Sequence, residues 1–410
     1  MEIRAVKATE ILDSRGFPTV EVTISTAQNS ATASVPSGAS KGVHEALEKR
    51  DGGKRYIGKG VKHAIEAIND IFRHALIGES CLEQNKIDKH LCLLDGTQNK
   101  SKYGSNAILA VSMAVCRLAS YEEGIPLYKY IESMSETRSR LPHPFFNIIN
   151  GGKHAGNDLA IQEFMIVPQK ASSFHESLQM ASETYHVLKD IILQKYGKSA
   201  INVGDEGGFA PPISTPEQAL DLLTKATDAA GYTKQMRFAI DCASSEWFRN
   251  GHYHMNNKIL TDDQLLSYYE KLTTDYPIIS IEDPFHQEDF ASHSALLKLL
   301  PETVQVVGDD LLATHPDRIK TAIISESVNC LLLKLNQIGT VSEALKSFSL
   351  ARSANWATMV SHRSGETNDT FIADLATGLG CGQIKAGAPC RGERIAKYNR
   401  LLAIETELTS

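Results

Sequence analysis

Six short apolar runs in the second half of the chain each end abruptly in charge. RFAID ends at Asp241, IISIED at Glu282 and Asp283, and VQVVGDD at Asp309 and Asp310. CLLLK ends at Lys334, ATMVSHR at His362 and Arg363, and GQIK at Lys385. Runs this short read as strands buried on both faces. They recur at intervals of about 25–40 residues, with helical patterns between them. That recurrence predicts a β/α barrel whose strand ends share one site. A doubly wound open sheet is the alternative, but no GxGxxG follows a strand, and charge ends many strands rather than two adjacent ones.

A barrel does not account for 410 residues, so a second, smaller domain is expected. Residues 2–35 read as three strands, of which TVEVTIS alternates most clearly. Helices follow: Val61, Ile65, Ile68, Phe72 and Leu76 mark one face, and 106–119 is apolar nearly all round. Strands then helices describe an α+β domain over 1–132, with SGASKG (37–42) as a mobile-loop candidate and 133–144 as a linker. From 145 to 410 the strand candidates are FFNIIN, IQEFMIV, SAINVG and the six charge-ended runs, with an amphipathic helix closing the chain. A net charge of −7 gives no reason to expect a nucleic-acid partner. No apolar run approaches the ~20 residues of a membrane span. Seven scattered cysteines without a CxxC pair fit reduced thiols and a cytoplasmic setting.

The charged strand ends suggest chemistry. Asp241, Glu282 and Asp309 would repel one another at one barrel mouth unless a cation lay between them, and Mg²⁺ favours such hard oxygens. Their other reading is as caps of the following helices. Lys334 is flanked by leucines, and Arg363 and Lys385 end neighbouring strands. Burial beside cations is expected to lower its pKa toward that of a base; the other reading is a lysine reaching out to water. GDEGG puts Glu206 in a glycine-rich loop, as a general acid or as part of a solvated turn. NGGKHAGN carries His154, on a ligand-contacting loop or a plain turn. The buried polar pair Gln162 and Glu163 needs partners. Together these residues suggest metal-assisted proton abstraction beside a carboxylate, with a lysine base and a glutamic acid partner.

The residues also carry a resemblance. LLLKLNQIGTVSEA (Leu331–Ala344), SIEDPF, GDEGGFAP, DCASSEW, VSHRSGET with DTFIADL, and IKAGAPCRGERIAKYN follow one another in the order found in enolases. ILDSRGFPTVEV, VPSGASKGVHEALE and LDGTQNKSKYGSNAILAVSMA extend the match through the first half. The chain thus resembles the enolase family over essentially its whole length. The resemblance implies an α/β fold, a ββαα(βα)₆ barrel with a smaller N-terminal α+β domain. It implies reversible, Mg²⁺-dependent dehydration of 2-phospho-D-glycerate to phosphoenolpyruvate, with Lys334 as base and Glu206 as acid. Asp241, Glu282 and Asp309 match the ligands of one Mg²⁺, and Ser40 matches a ligand of a second. Ala39, His154, Gln162, Glu163, Glu282, Asp309, Ser361, His362, Arg363, Ser364 and Lys385 match substrate-binding positions, with Arg363 forking onto phosphate and Lys385 facing the carboxylate. Enolases are usually homodimers and sometimes octamers.

The chain departs from the family pattern at Lys41, Asn368 and Gly392, and Phe248–Thr261 is shorter than in many relatives. Two rival readings remain. A muconate-lactonising or mandelate-racemase-like enzyme would carry a KxK pair, which DLAIQEFMIV lacks. A catalytically silent relative with a structural role would retain the same residues.

Overall fold

The computed structural model describes residues 1–39 and 42–409, the side chain of His154 excepted. Ser40, Lys41 and the His154 side chain, all named above, therefore lie outside the description. Strands β1 (Ala5–Leu12), β2 (Pro18–Ser25) and β3 (Ser30–Ser34) form an antiparallel meander. Alternation in β2 buries Val20, Val22 and Ile24 on one face, and α1 (Ser105–Glu122) covers that face. The 62–76 stretch is helical throughout, with a π-helical turn at Ala67–Phe72, and it buries Ile68, Phe72 and Leu76. A further helix ends at Ser135, and β4 opens at His143, so the irregular connection is 136–142.

Eight strands then close a barrel: β4 (His143–Asn150), β5 (Glu163–Val167), β6 (Arg237–Asp241), β7 (Ile278–Glu282), β8 (Gln305–Gly308), β9 (Cys330–Leu333), β10 (Ala357–Ser361) and β11 (Gly382–Lys385). β5 runs antiparallel to both neighbours and every other pairing is parallel. Two helices, α2 (Phe174–Tyr196) and α3 (Pro216–Ala229), separate β5 from β6. One long helix then follows each strand, α4 (Asp262–Asp275), α5 (Phe290–Leu299), α6 (Pro316–Ile324), α7 (Val341–Ser353), α8 (Phe371–Leu379) and α9 (Gly392–Thr409), with a single helical turn at Leu335–Ile338 ahead of α7. This is the ββαα(βα)₆ order. SAINVG does not join the sheet. After Gly197 (φ 85°) it makes a 3₁₀ turn, and Val203 forms only an isolated bridge with Phe209.

The barrel interior is filled by Phe145, Met165, Val167, Ala239, Val307, Cys330, Leu332 and Met359. Intervening residues such as Ile240, Ile281, Leu331 and Leu333 pack outward in the main core with the helices. Among the described residues, no helix is long and apolar enough to cross a membrane.

One buried histidine gives the fold a pH dependence. His293 on α5 lies beside Phe285, and its Nδ1–H donates to the Asp289 carbonyl (2.6 Å). Burial lowers its pKa from 6.5 to about 4. The folded chain therefore resists a proton that the unfolded chain takes up, so stability is full above pH 6.5 and is lost as pH falls toward about 4. From pH 7 to pH 5 this costs about 2 kcal/mol. Urea unfolding at both pH values should show His293→Asn losing less stability on acidification than the parent.

Candidate active site

Alternation along each strand decides what reaches the barrel mouth. Ala239, Val307, Leu332 and Met359 point inward, so Asp241, Asp309, Lys334 and Ser361, two residues on, do so at the C-terminal rim. On antiparallel β5 the order reverses: Met165 is inside, and Glu163 reaches the same rim two residues earlier. In register, Glu163 pairs with Asp241, Asp241 with Glu282, and Ser361 with Lys385. None of the three acids caps a helix, because Thr261, Asp289 and His315 cap α4, α5 and α6.

The acids are held together by a lysine. The Lys385 ammonium lies 2.7 and 2.9 Å from the two Glu282 carboxylate oxygens and 3.3 Å from both Asp241 Oδ2 and Glu163 Oε2. All four side chains are almost fully buried. Burial pushes the Glu282 carboxyl well above the usual range, with the Asp241 charge adding to it. Burial, then the Glu206 charge, does the same to Glu163. Burial opposes the Lys385 charge, but Glu163, Glu282 and Asp241 outweigh it and hold its pKa high. Some of the compensation expected of a metal is thus supplied by the chain itself. Gln162 donates to Asp241 Oδ2 (3.4 Å), which answers the question of its partner.

Lys334 corrects an expectation. Its Nζ pairs with Asp309 Oδ2 (2.5 Å), and its backbone N–H is held by Thr314 Oγ1 (3.0 Å). Burial, Arg363 and Lys385 do press its pKa down, but Asp309 outweighs them and the net shift is upward. Burial also opposes the Asp309 charge, yet Lys334 and Lys385 bring that carboxyl below its ordinary value. Gln337 Nε2 donates to the other Asp309 oxygen (2.7 Å). Asp283, in a left-handed conformation (φ 42°), accepts the backbone N–H groups of Asp309 (2.9 Å) and Asp310 (2.7 Å) and pins the end of β8.

Glu206 is brought in by a docked loop. Phe209 exchanges backbone hydrogen bonds with Ile148 (2.9 Å) and Asn150 (2.8 Å) of β4. Gly208 allows that approach, since a Cβ there would lie 2.3 Å from Asn150 Oδ1. Glu206 is buried and accepts from Asn147 Nδ2 (2.9 Å), so it does not belong to a solvated turn. His362 Nε2 lies 3.6 Å from the same Glu206 oxygen. Arg363 forks onto Glu45 (3.0 and 3.1 Å) and also donates to Asn336 (2.9 Å). The fork expected to face phosphate is thus engaged by a carboxylate from the N-terminal segment. Ser364 Oγ accepts from Ala39 N (2.7 Å) and Arg15 Nη1 (3.3 Å), and Ser361 Oγ donates to the His362 carbonyl (3.0 Å).

One cavity of ≈10 Å³ is lined by Gln162, Glu163, Glu206, Asp241, Lys334, Ser361, His362, Arg363, Ser364 and Lys385. Glu282 and Asp309 adjoin it through the two lysines. That volume suits about one water, so a larger ligand needs the side chains around the cavity to move. Two groups of acids and histidine could each hold a metal: Glu163, Glu206 and His362, and Asp283, Asp309 and Asp310. Asp241, Glu282 and Asp309 also have the hard donors a divalent ion takes, and Lys385 already places a cation against two of them. Glu45, Asn147, Asn336, Gln337 and Arg394 were not foreseen as site residues. Four of them lie in blocks that carried the resemblance, but nothing in their own spacing marks them.

Comparison with known proteins agrees with this picture. The family model described as "Enolase, N-terminal domain" matches residues 3–131, and "Enolase, C-terminal TIM barrel domain" matches residues 138–410. A protein named Enolase from Methanocaldococcus jannaschii is 53% identical over 408 residues, covering 99% of this chain and 96% of the relative. One of the same name from Mastigamoeba balamuthi is 53% identical over 420 residues, with coverage of 99% and 96%.

Proposed function

The chain belongs to the enolase family, and from this we infer that it is a phosphopyruvate hydratase of glycolysis. It dehydrates 2-phospho-D-glycerate reversibly to phosphoenolpyruvate. The observation that carries the reading is the placing of Lys334 and Glu206 around one buried cavity. Glu206 docks on β4, three strands round an eight-strand ring from β9, which carries Lys334. In the proposed reaction Lys334, once neutral, takes the C2 proton. Glu206 gives a proton to the departing C3 hydroxyl from across the cavity. Arg363 and Lys385 bind the phosphate and carboxylate, and each must first exchange its present carboxylate partner for substrate. Ala39, Gln162, Glu163, Ser361, His362 and Ser364 complete the substrate wall, with His154 on the neighbouring loop.

Asp241, Glu282 and Asp309 would hold one Mg²⁺ and Ser40 would help hold a second, and the bound ions would supply positive charge to the carboxylate as it becomes doubly negative. Asp309→Asn should weaken Mg²⁺ binding by at least about tenfold in a calorimetric titration; an unchanged titration would remove Asp309 from the ligand set. We also propose a homodimer (an octamer being the other assembly the family forms), a cytoplasmic setting supported by seven free cysteines, and the division of the chain at 133–144. The test of the activity is absorbance at the enol product. Folded, Mg²⁺-supplied protein should form phosphoenolpyruvate from 2-phosphoglycerate, and no turnover would favour the silent structural reading.

A further inference from the structure

Arg394 is completely buried on α9, a helix whose charged residues the sequence would assign to solvent. Its guanidinium ties four loop groups together. Nη1 donates to the Arg363 carbonyl (2.6 Å), and Nη2 donates to the carbonyls of Asp205 (3.0 Å) and Ser364 (2.6 Å). The fourth contact is Nη1 to His362 Nδ1, at 2.5 Å. Guanidinium has five N–H donors and no acceptor. His362 Nδ1 must therefore be the acceptor, and in the neutral ring the proton sits on Nε2. That nitrogen faces Glu206 Oε2 at 3.6 Å, the oxygen that already accepts from Asn147.

We propose that Arg394 is a positioning residue for the acid half of the reaction: it fixes His362 as the Nε2–H tautomer, so a donor and not a metal ligand faces Glu206. The His362 Nε2–H then faces Glu206 Oε2 at 3.6 Å, too far for a hydrogen bond as it stands, beside the bond that this oxygen accepts from Asn147. The same constraint means that Glu163, Glu206 and His362, though clustered, do not form a metal site while Arg394 is in place. The kinetic half of the proposal rests on the hydratase reading, and the tautomer half does not.

The test uses the full-length protein with ¹⁵N-labelled histidine. The His362 signals are identified by their loss in His362→Asn. The wild type should show a protonated Nε2 and a bare, hydrogen-bonded Nδ1. Arg394→Met should move the proton to Nδ1 or mix the tautomers, and Arg394→Lys, which keeps one donor, should restore the wild-type pattern in part. Dehydration by Arg394→Met should fall on the order of 10²-fold, while exchange of the C2 proton falls far less. A wild type protonated at Nδ1 would overturn the proposal. So would an Arg394→Met protein of unchanged tautomer, or one whose exchange and dehydration fall equally. If the wild type turned over no 2-phosphoglycerate, the hydratase reading would fail, and the ¹⁵N spectra would still decide the tautomer.

Discussion

Lys334→Ala should abolish exchange of the C2 proton of 2-phosphoglycerate with solvent, a loss of about 10²–10⁴-fold or more. The reason is positional. The alternation of β9 aims residue 334 into the barrel mouth, and Leu333 and Leu335 are both buried beside it. No other lysine shares that strand end, and Lys385 is enclosed by Glu163, Asp241 and Glu282. Lys334→Arg should not restore exchange. Its charge can still pair with Asp309, but guanidinium does not give up a proton to become a base. The Asp309 charge holds the Lys334 pKa up, so engaging that charge elsewhere favours the neutral amine. Mass spectrometry of substrate recovered from D₂O measures the exchange directly. Persistent deuterium uptake by either variant would remove Lys334 as the base.

Glu206→Gln should lower dehydration by about 10²–10⁴-fold while leaving C2 exchange much closer to wild type. Glutamine keeps the size of the side chain, and its carbonyl can still accept from Asn147 Nδ2, so the loop docked on β4 keeps its place. What it loses is the proton offered to the C3 hydroxyl. The nearby Glu163 should not substitute, because Glu206→Gln removes the charge that, after burial, does most to push the Glu163 carboxyl up. Measured side by side, exchange and turnover should separate. Equal losses in both would mean that Glu206 does not act in a step after proton abstraction.

The barrel was legible because period-two alternation and abrupt charge are local signals. Each run such as VQVVGDD states both its inward face and its rim residue. SAINVG shows the limit of that signal: it has a strand's composition, but the turn after Gly197 leaves it no partner beyond one bridge. The rim acids and Lys334 were found for the same reason as the strands. Their mutual arrangement was not, because the pairing of Lys385 with three carboxylates depends on which strand ends are neighbours. Glu45 lies in an irregular stretch with no periodicity, and only its placement across the barrel mouth gives it a partner. Arg394 and Lys397 sat on an amphipathic pattern whose cations are ordinarily solvated, yet both are buried beneath the SHRSGET loop.

The most direct measurement is a crystal structure of the protein with 2-phosphoglycerate and Mg²⁺. The account predicts that Lys334 Nζ leaves Asp309 and lies about 3–3.5 Å from C2, with Glu206 on the other face beside the C3 hydroxyl and the metal among Asp241, Glu282 and Asp309. A substrate bound with Lys334 still paired to Asp309, or with both Lys334 and Glu206 on the same face of C2 and C3, would contradict it.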